Sequence, residues 1–573
     1  MPEPEPELTP HSYAVGKIAV HDFPEQWPNL LPTILSVISS GTDAQLHGAL
    51  KVLGDLIEES LSEEQFFSMA RDIAKSLTEV ALNENRKPML RSLAISVFRS
   101  CFDLMNMIKE DHGKEVKAFA EELLKDWNPF FLEALKQRLP ESDLSTGTQP
   151  ESWNSIISLK LQVCKTLLRI RRVFPSLLLP QSPALFAAVW EELTLMQAPH
   201  EQLYIKNEAQ GRLEDVDGLP YTLDFLILEE LDFLNQCFRA QPVQAELDGQ
   251  LKAHASAQDV PWMVEIMKML VGYSRVTREE EELWDIDCSL YLAEETSVTA
   301  NYTARVAASD LLIKMGEWFH DKTIDGLFGY TKTLFPGDAS KWRDQEAALY
   351  LFVMLTSDFQ DLNKTIPDHI SAAFLELVDF AINRPDEPLL RARGFLVAGM
   401  LCRTYDAPPT LLDRIIESVT REEAEVVQVA CIKAIEGLIN AEKVPTDRQI
   451  PVIAAIQQYM NGKDPADMED ADELLVTLSE ALRAAIRLNC RIALSNDVPS
   501  IDLLFMLAKV GASNFQVTMM VSEAVEEIVR SLADPDSFAA LCSKIVPTLI
   551  GAFDVANLTE DNPLVTVSFC GKM

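Results

Sequence analysis

One texture recurs along this chain: a polar start, then a small residue or arginine, then alanine, then a run of Leu, Ile and Val. It appears in "RKPMLRSLAISVFRSCFDLM", "TARVAASDLLIKM" (303–315), "EPLLRARGFLVAGML" (387–401), "AEVVQVACIKAIEGLI" (424–439) and "QVTMMVSEAVEEIV" (516–529). Each stretch has helical periodicity. In "AQLHGALKVLGDLIEE", Leu46, Leu50, Leu53 and Ile57 follow at spacings of four, three and four, which is one face of a helix. With Arg91, Arg305, Ala347, Arg391, Val429 and Met520 as anchors, the last four gaps are 42, 44, 38 and 91 residues, the last about two periods.

A period near 40 is the mark of helix-pair solenoids of the HEAT and armadillo type. One helix pair cannot bury its apolar face alone; stacked neighbours bury a continuous core. No sustained period-two alternation or hairpin signal competes, and only 21 glycines occur in 573 residues. The expected fold is therefore all-α: a right-handed α-solenoid of HEAT/ARM-like repeats. It is read as one array of roughly ten repeats over residues 11–573, after a disordered acidic, proline-rich start at 1–10.

Proline placement suits such repeats. "HDFPEQWPNLLPTIL" carries Pro24, Pro28 and Pro32, although an interior proline costs about 3 kcal/mol. At a helix start the missing N–H costs little, so Pro28 is expected to open an outer helix after a tight corner. Phe23 and Trp27 are expected to pack that corner into the next repeat. Pro129, Pro451 and Pro547 are read as the same device.

The formal charge is −38, with 88 Asp+Glu against 50 Lys+Arg. Such a surface repels phosphate backbones and anionic lipid and attracts basic proteins. No apolar run approaches the length needed to span a bilayer. The nine cysteines show no C-x-x-C spacing and read as reduced, mostly core residues. The eight histidines form no metal-ligand pattern, and neither a phosphate loop nor a nucleophile elbow is present. In "LEDVDGLPYTLD", Asp215, Asp217, Gly218 and Asp224 fall at calcium-loop positions, but Leu213 holds the first ligand place, so an acidic surface loop is expected. Arg169, Arg171 and Arg172 read as the charged edge of a helix. No enzyme chemistry or cofactor is indicated.

Two stretches carry a resemblance. "SYAVGKIAVHDFPEQWPNLLPTIL" places Ile18, Ala19, Asp22, Phe23, Pro24, Glu25, Trp27, Pro28 and Leu30 as in the importin-β family of nuclear transport receptors. "MLVGYSRVTREEEELWDIDCSLYLAEETSVTANYTARVAASDLL" places Tyr273, Thr277, Glu281, Trp284, Tyr291, Arg305, Ala307, Ala308, Asp310, Leu311 and Leu312 likewise. The chain is most similar to the importin nine type. It departs at Asp287 and Cys288, where the family has Asn-Pro. Family members also carry about two more repeats before the first motif and continue well past the length seen here. The chain thus resembles a member lacking its N-terminal repeats and its C-terminal part, and its Ran binding is expected to be weakened or lost.

What the resemblance implies is a shuttling import receptor of cytoplasm and nucleus, monomeric, with no membrane or direct nucleic-acid contact. Its partners would be Ran-GTP, nuclear pore FG-repeat proteins, and basic cargo such as core histones, ribosomal proteins or basic transcription factors. The other reading is a general HEAT-repeat scaffold without a transport role. Cargo-binding candidates are the acidic runs: Glu279, Glu280, Glu281, Glu282, Asp285, Asp287, Glu294 and Glu295, then Asp464, Asp467, Glu469, Asp470, Asp472 and Glu473. Pro24, Trp27, Pro28, Trp284 and Arg305 are expected to be structural.

Overall fold

A computed structural model describes residues 9–552, apart from residues 60, 297–301, 336–338, 407 and 496. Twenty-six α-helices and no named strand are found among the described residues. The first ten are α1 (Thr9–Asp22), α2 (Leu30–Ser40), α3 (Asp43–Glu59), α4 (Glu63–Ala81), α5 (Pro88–Lys136), α6 (Glu151–Val173), α7 (Ser182–His200), α8 (Leu223–Phe238), α9 (Gln241–Ala253) and α10 (Pro261–Tyr273). Two short helices follow, α11 (Arg278–Ile286) and α12 (Cys288–Thr296). Then come α13 (Ala304–Phe319), α14 (Asp321–Leu334), α15 (Trp342–Asp361), α16 (Asp368–Ile382), α17 (Pro388–Leu401), α18 (Pro409–Arg421), α19 (Glu425–Asn440) and α20 (Gln449–Asn461). The last are α21 (Pro465–Glu469), α22 (Asp472–Leu488), α23 (Cys490–Ala493), α24 (Ser500–Val510), α25 (Phe515–Ser531) and α26 (Pro535–Ala552).

The chain forms two compact units, residues 1–278 with 302–320, and residues 279–301 with 321–573. In the first, α1, α3, α5, α6, α8 and α13 stack in succession as one layer. Helices α2, α4, α7 and α10 pack behind them. Helix α5 serves both layers because it kinks at His112, whose φ of −124° and ψ of 33° are not helical. In the second unit, α15, α17, α19, α22 and α25 form the front layer, backed by α14, α16, α18, α20 and α24. Helices α17 and α19 approach closely at Gly399, where a Cβ would lie 2.8 Å from Ala434 Cα.

The front layers bury the periodic residues predicted from sequence: Leu46, Leu50, Leu53 and Ile57 are all at most 3% exposed. Side-chain bonds also cross from helix to helix. Ser100 bonds Glu58, Arg99 Nη1 meets Gln162 Oε1 at 2.7 Å, Arg169 pairs with Asp103, and Lys165 lies 3.5 Å from Glu229. In the second unit Arg393 pairs with Glu346, Lys433 with Glu480, and Arg483 with Glu523 and Glu527. Many front-layer carboxylates are thus balanced from within the chain.

The prolines divide. The corner at Phe23–Pro24 has a cis peptide bond, and Phe23 is buried while Trp27 is 37% exposed. Trp27 therefore does not pack inward as expected: it sits in the turn before α2, with one side on solvent. Pro28 precedes α2 and Pro32 falls in its first turn; Pro451 is the third residue of α20. Pro129 and Pro547, by contrast, lie deep inside α5 and α26 rather than near helix starts. Helix α1 begins at Thr9, inside the stretch expected to be disordered; residues 1–8 lie outside the described residues.

Candidate functional site

Helices α10 and α13 pair within the first unit. The residues between them do not stay there: 279–301 belong to the second unit. Helix α12 lies against α19 and α22. Its anchors are apolar. Trp284, Tyr291 and Leu292 are at most 6% exposed, and the Trp284 and Tyr291 rings meet edge to face at 5.4 Å. Beneath Tyr291 lies the Arg393 guanidinium, 5.9 Å from its ring and 5.1 Å from that of Tyr350. Asp287 closes the turn by accepting from Ser289 N at 2.8 Å. This is the role a helix-capping residue plays, so the departure from Asn-Pro still supplies a cap.

The second acidic run meets the first at Glu425. Its carboxylate receives Tyr459 Oη at 2.7 Å, Lys463 Nζ, and the Cys288 thiol. Burial opposes the charge on Glu425, but these donors outweigh it and hold the carboxyl below the usual glutamate range. Burial pushes the Cys288 thiol up to about 12, with Glu425 adding to the effect. Lys463 directly precedes Asp464, the first acid of the second run. Two acidic runs nearly two hundred residues apart are thereby joined through Cys288, Glu425 and Lys463.

Of the candidates, Glu279, Glu282 and Asp285 are exposed on α11, and Glu280 and Glu281 are half-buried. Glu281 pairs with Arg343. Asp287 and Glu294 are half-buried; the Glu295 side chain lies outside the described residues. Asp464 caps α21 by accepting from Ala466 N at 3.0 Å. Asp467, Glu469 and Asp470 are exposed, Glu473 is half-buried, and Asp472 accepts from Asn514 Nδ2 at 2.7 Å. Arg305 is 2% exposed and donates to the Ser274 carbonyl, tying α13 to the end of α10.

Three residues of the junction escaped the sequence reading: Glu425, Tyr459 and Lys463. Each belongs to an amphipathic helix or its end, and periodicity does not distinguish them. Lys463 beside Asp464 was the only local signal.

The other sequence-level features also acquire places. Asp217 leaves the calcium-loop pattern to bond His47 and Lys51 of α3, and Asp215 closes its own turn by accepting from Asp217 N and Leu219 N. Arg171 corrects the charged-edge reading: it is 7% exposed and donates to Ser182 Oγ at 3.2 Å. Among the described cysteines, all unpaired, six are buried and Cys490 and Cys542 half-buried; Cys570 lies outside the described residues.

Residues 257–512, which span α11, α12 and most of the second unit, match the family described as importin-9 central HEAT repeats. Importin subunit beta-5 of Schizosaccharomyces pombe is 26% identical over 562 residues, covering 97% of this chain and 54% of that protein. The chain is similar to nuclear transport receptors of the importin-β family, which are non-enzymatic HEAT-repeat proteins. Importin subunit beta-5 of Saccharomyces cerevisiae is 21% identical over 582 residues, with 97% and 53% coverage. The chain thus spans about half the length of these importin-β relatives. The fold is shared with solved transport receptors. One is the exportin Cse1 in its cargo-free, cytoplasmic state, with TM-score 0.56, 16% identity, and coverage of 95% of this chain and 57% of that one. Another is Lph2, a bidirectional nuclear transport receptor of S. cerevisiae, with TM-score 0.62, 14% identity, and coverage of 96% and 56%.

Proposed function

We propose that this chain acts in nuclear import, binding basic nuclear cargo with the acidic junction of its second unit. The cargo class is core histones, with ribosomal proteins and basic transcription factors as further members. Passage would use FG-repeat proteins of the pore, and release would be driven by Ran-GTP as the receptor shuttles between cytoplasm and nucleus. The observation that carries this reading is the convergence of residues 279–287 and 464–473 through Cys288, Glu425 and Lys463. Exposed acids gathered from two segments give a field stronger than either alone. Such a field speeds encounter with a basic partner and is screened by salt.

The test is binding of a core histone dimer to the whole chain, from about 0.05 to 0.3 M salt. One variant carries Glu279→Gln, Glu282→Gln and Asp285→Asn; another carries Asp464→Asn, Asp467→Asn, Glu469→Gln and Asp470→Asn. Each is expected to weaken binding by roughly tenfold, or about 1.4 kcal/mol, mainly through the association rate, with a shallower salt dependence. Affinity indifferent to both variants and to salt would remove electrostatic capture.

A further inference from the structure

The α11–α12 segment has a second face that its docking does not use. Trp284, Cys288, Tyr291 and Leu292 hold it to the second unit and are buried. On the other side Leu283 is 44% exposed, Ile286 84% and Leu290 43%. Ile286 is the most exposed large apolar side chain among the described residues. Leu283 and Ile286 stand one helical turn apart on α11, so their side chains are neighbours; Leu290 follows just after the turn at Asp287. Around them stand the exposed acids Glu279, Glu282 and Asp285. Residues 279–296 contain no lysine or arginine.

Core packing does not explain this face, because the same helices already bury a separate set of apolar residues. Pure charge attraction does not explain it either. A segment that only attracted cations would gain nothing from an isoleucine in water, where each exposed apolar side chain forgoes its transfer free energy. Apolar residues inside an acidic border match one kind of partner: a helix with its own apolar stripe at i, i+3 and i+7 and lysine or arginine on either side. The acidic border excludes nucleic acid and anionic lipid as occupants. It equally disfavours a second copy of this chain, which would bring like charge against like.

We propose that Leu283, Ile286 and Leu290 form an apolar docking strip for a basic amphipathic helix of the cargo. This rests on the acidic-junction reading and adds to it a requirement for apolar residues in a particular order. Cargo of equal charge without that stripe binds less tightly.

The experiment uses the whole chain and two fluorescein-labelled synthetic peptides of identical composition. One places leucines at i, i+3 and i+7 between lysines and arginines; the other is a scramble that destroys the stripe. Wild type is expected to bind the striped peptide at least tenfold more tightly than the scramble. The combined Leu283→Ser, Ile286→Ser and Leu290→Ser variant should lose that preference and keep the affinity for the scramble. The three positions are exposed, so the variant should fold, and circular dichroism is the check. Equal binding of both peptides by wild type, or an unchanged preference in the serine variant, overturns the strip. If neutralising Glu279, Glu282 and Asp285 weakens binding of both peptides in that case, the acidic-junction reading survives alone. If it has no effect on either, both readings fall. A concentration-dependent dimer abolished by the serine variant would make a second copy the occupant and overturn the assignment.

Discussion

His47 Nε2 and Asp217 Oδ2 stand 2.7 Å apart across 170 residues of chain, and Lys51 Nζ reaches the other oxygen of the same carboxylate at 3.0 Å. The Asp217 side chain is completely buried in this contact. It fastens the loop between α7 and α8 to α3, past the intervening front-layer helices α5 and α6. Burial opposes the charge on Asp217, yet the bonds from His47 and Lys51 prevail and set its carboxyl below the ordinary aspartate range.

A group depressed in the folded state contributes stability above its unfolded pKa and loses it as pH falls through the folded value. The clasp should therefore be intact at neutral pH and weaken below about pH 3.9, the ordinary aspartate value. Asp217→Asn removes the charge and is expected to cost about 1.5–3 kcal/mol, the range for hydrogen bonds to charged groups. Trypsin cleavage after Arg212 should speed up in this variant at neutral pH. An unchanged cleavage rate would mean that the loop is held by its own turn rather than by α3.

Arg393 and Glu346 form a pair in which neither side chain exceeds 1% exposure, with Nε 2.9 Å from Oε1. Cutting one partner leaves a buried charge without its counterion, so Arg393→Met or Glu346→Gln should each cost about 3–5 kcal/mol. The double variant should be less damaging than the sum of the two, because two apolar or neutral groups leave no orphan charge. Urea unfolding of all four proteins at one pH gives the coupling; additive losses would show that the pair is not a unit.

The solenoid was legible because its determinants are local. Helical periodicity and the recurrence near 40 residues placed α3, α13, α17, α19 and α25 within a few residues of their observed bounds. Helix interiors were less legible. Pro129 and Pro547 looked like helix starts because sequence shows that a proline is present, not how many turns precede it. The acidic runs could be found by composition, but not their meeting at Glu425. That contact joins residues from α12, α19 and the end of α20, and it depends on where the chain goes after Arg278. The exposed strip of Leu283, Ile286 and Leu290 was hidden for the same reason. Only the docking of Trp284 and Tyr291 decides which face of α11 remains in water.

Glu230 is a buried carboxylate near Glu192, which is itself bonded to the fully buried Lys160 at 2.6 Å. Burial first, and the Glu192 charge second, raise the Glu230 carboxyl well above the glutamate range. An acid raised on folding costs stability once the unfolded form ionises, so stability should fall as pH rises above about 4.3. The slope is about 1.4 kcal/mol per pH unit until the folded pKa is reached. Glu230→Gln keeps the shape without the ionisation. Its stability advantage should be small at pH 4 and grow as the pH rises above it, as urea midpoints would show. A pH-independent difference would mean that Glu230 keeps its charge in the fold.

Cys288 reports directly on whether the α11–α12 segment is docked. Only the thiolate reacts with alkylating agents, and this thiol is both covered and pushed up to about 12. In the intact chain its reaction with iodoacetamide should be far slower than that of the half-buried Cys490 and Cys542. Tyr291→Ala removes the ring that sits over Arg393 and should raise Cys288 alkylation at least tenfold, resolved by peptide mass spectrometry. Glu425→Gln should act in the same direction, because the acceptor shared by Lys463, Tyr459 and Cys288 loses its charge. A basic partner that seats on the exposed face should leave Cys288 as protected as before, because Leu283, Ile286 and Leu290 lie opposite the anchors. If binding instead accelerated the alkylation, the partner would be displacing the segment, and its occupied surface would be the front-layer helices beneath.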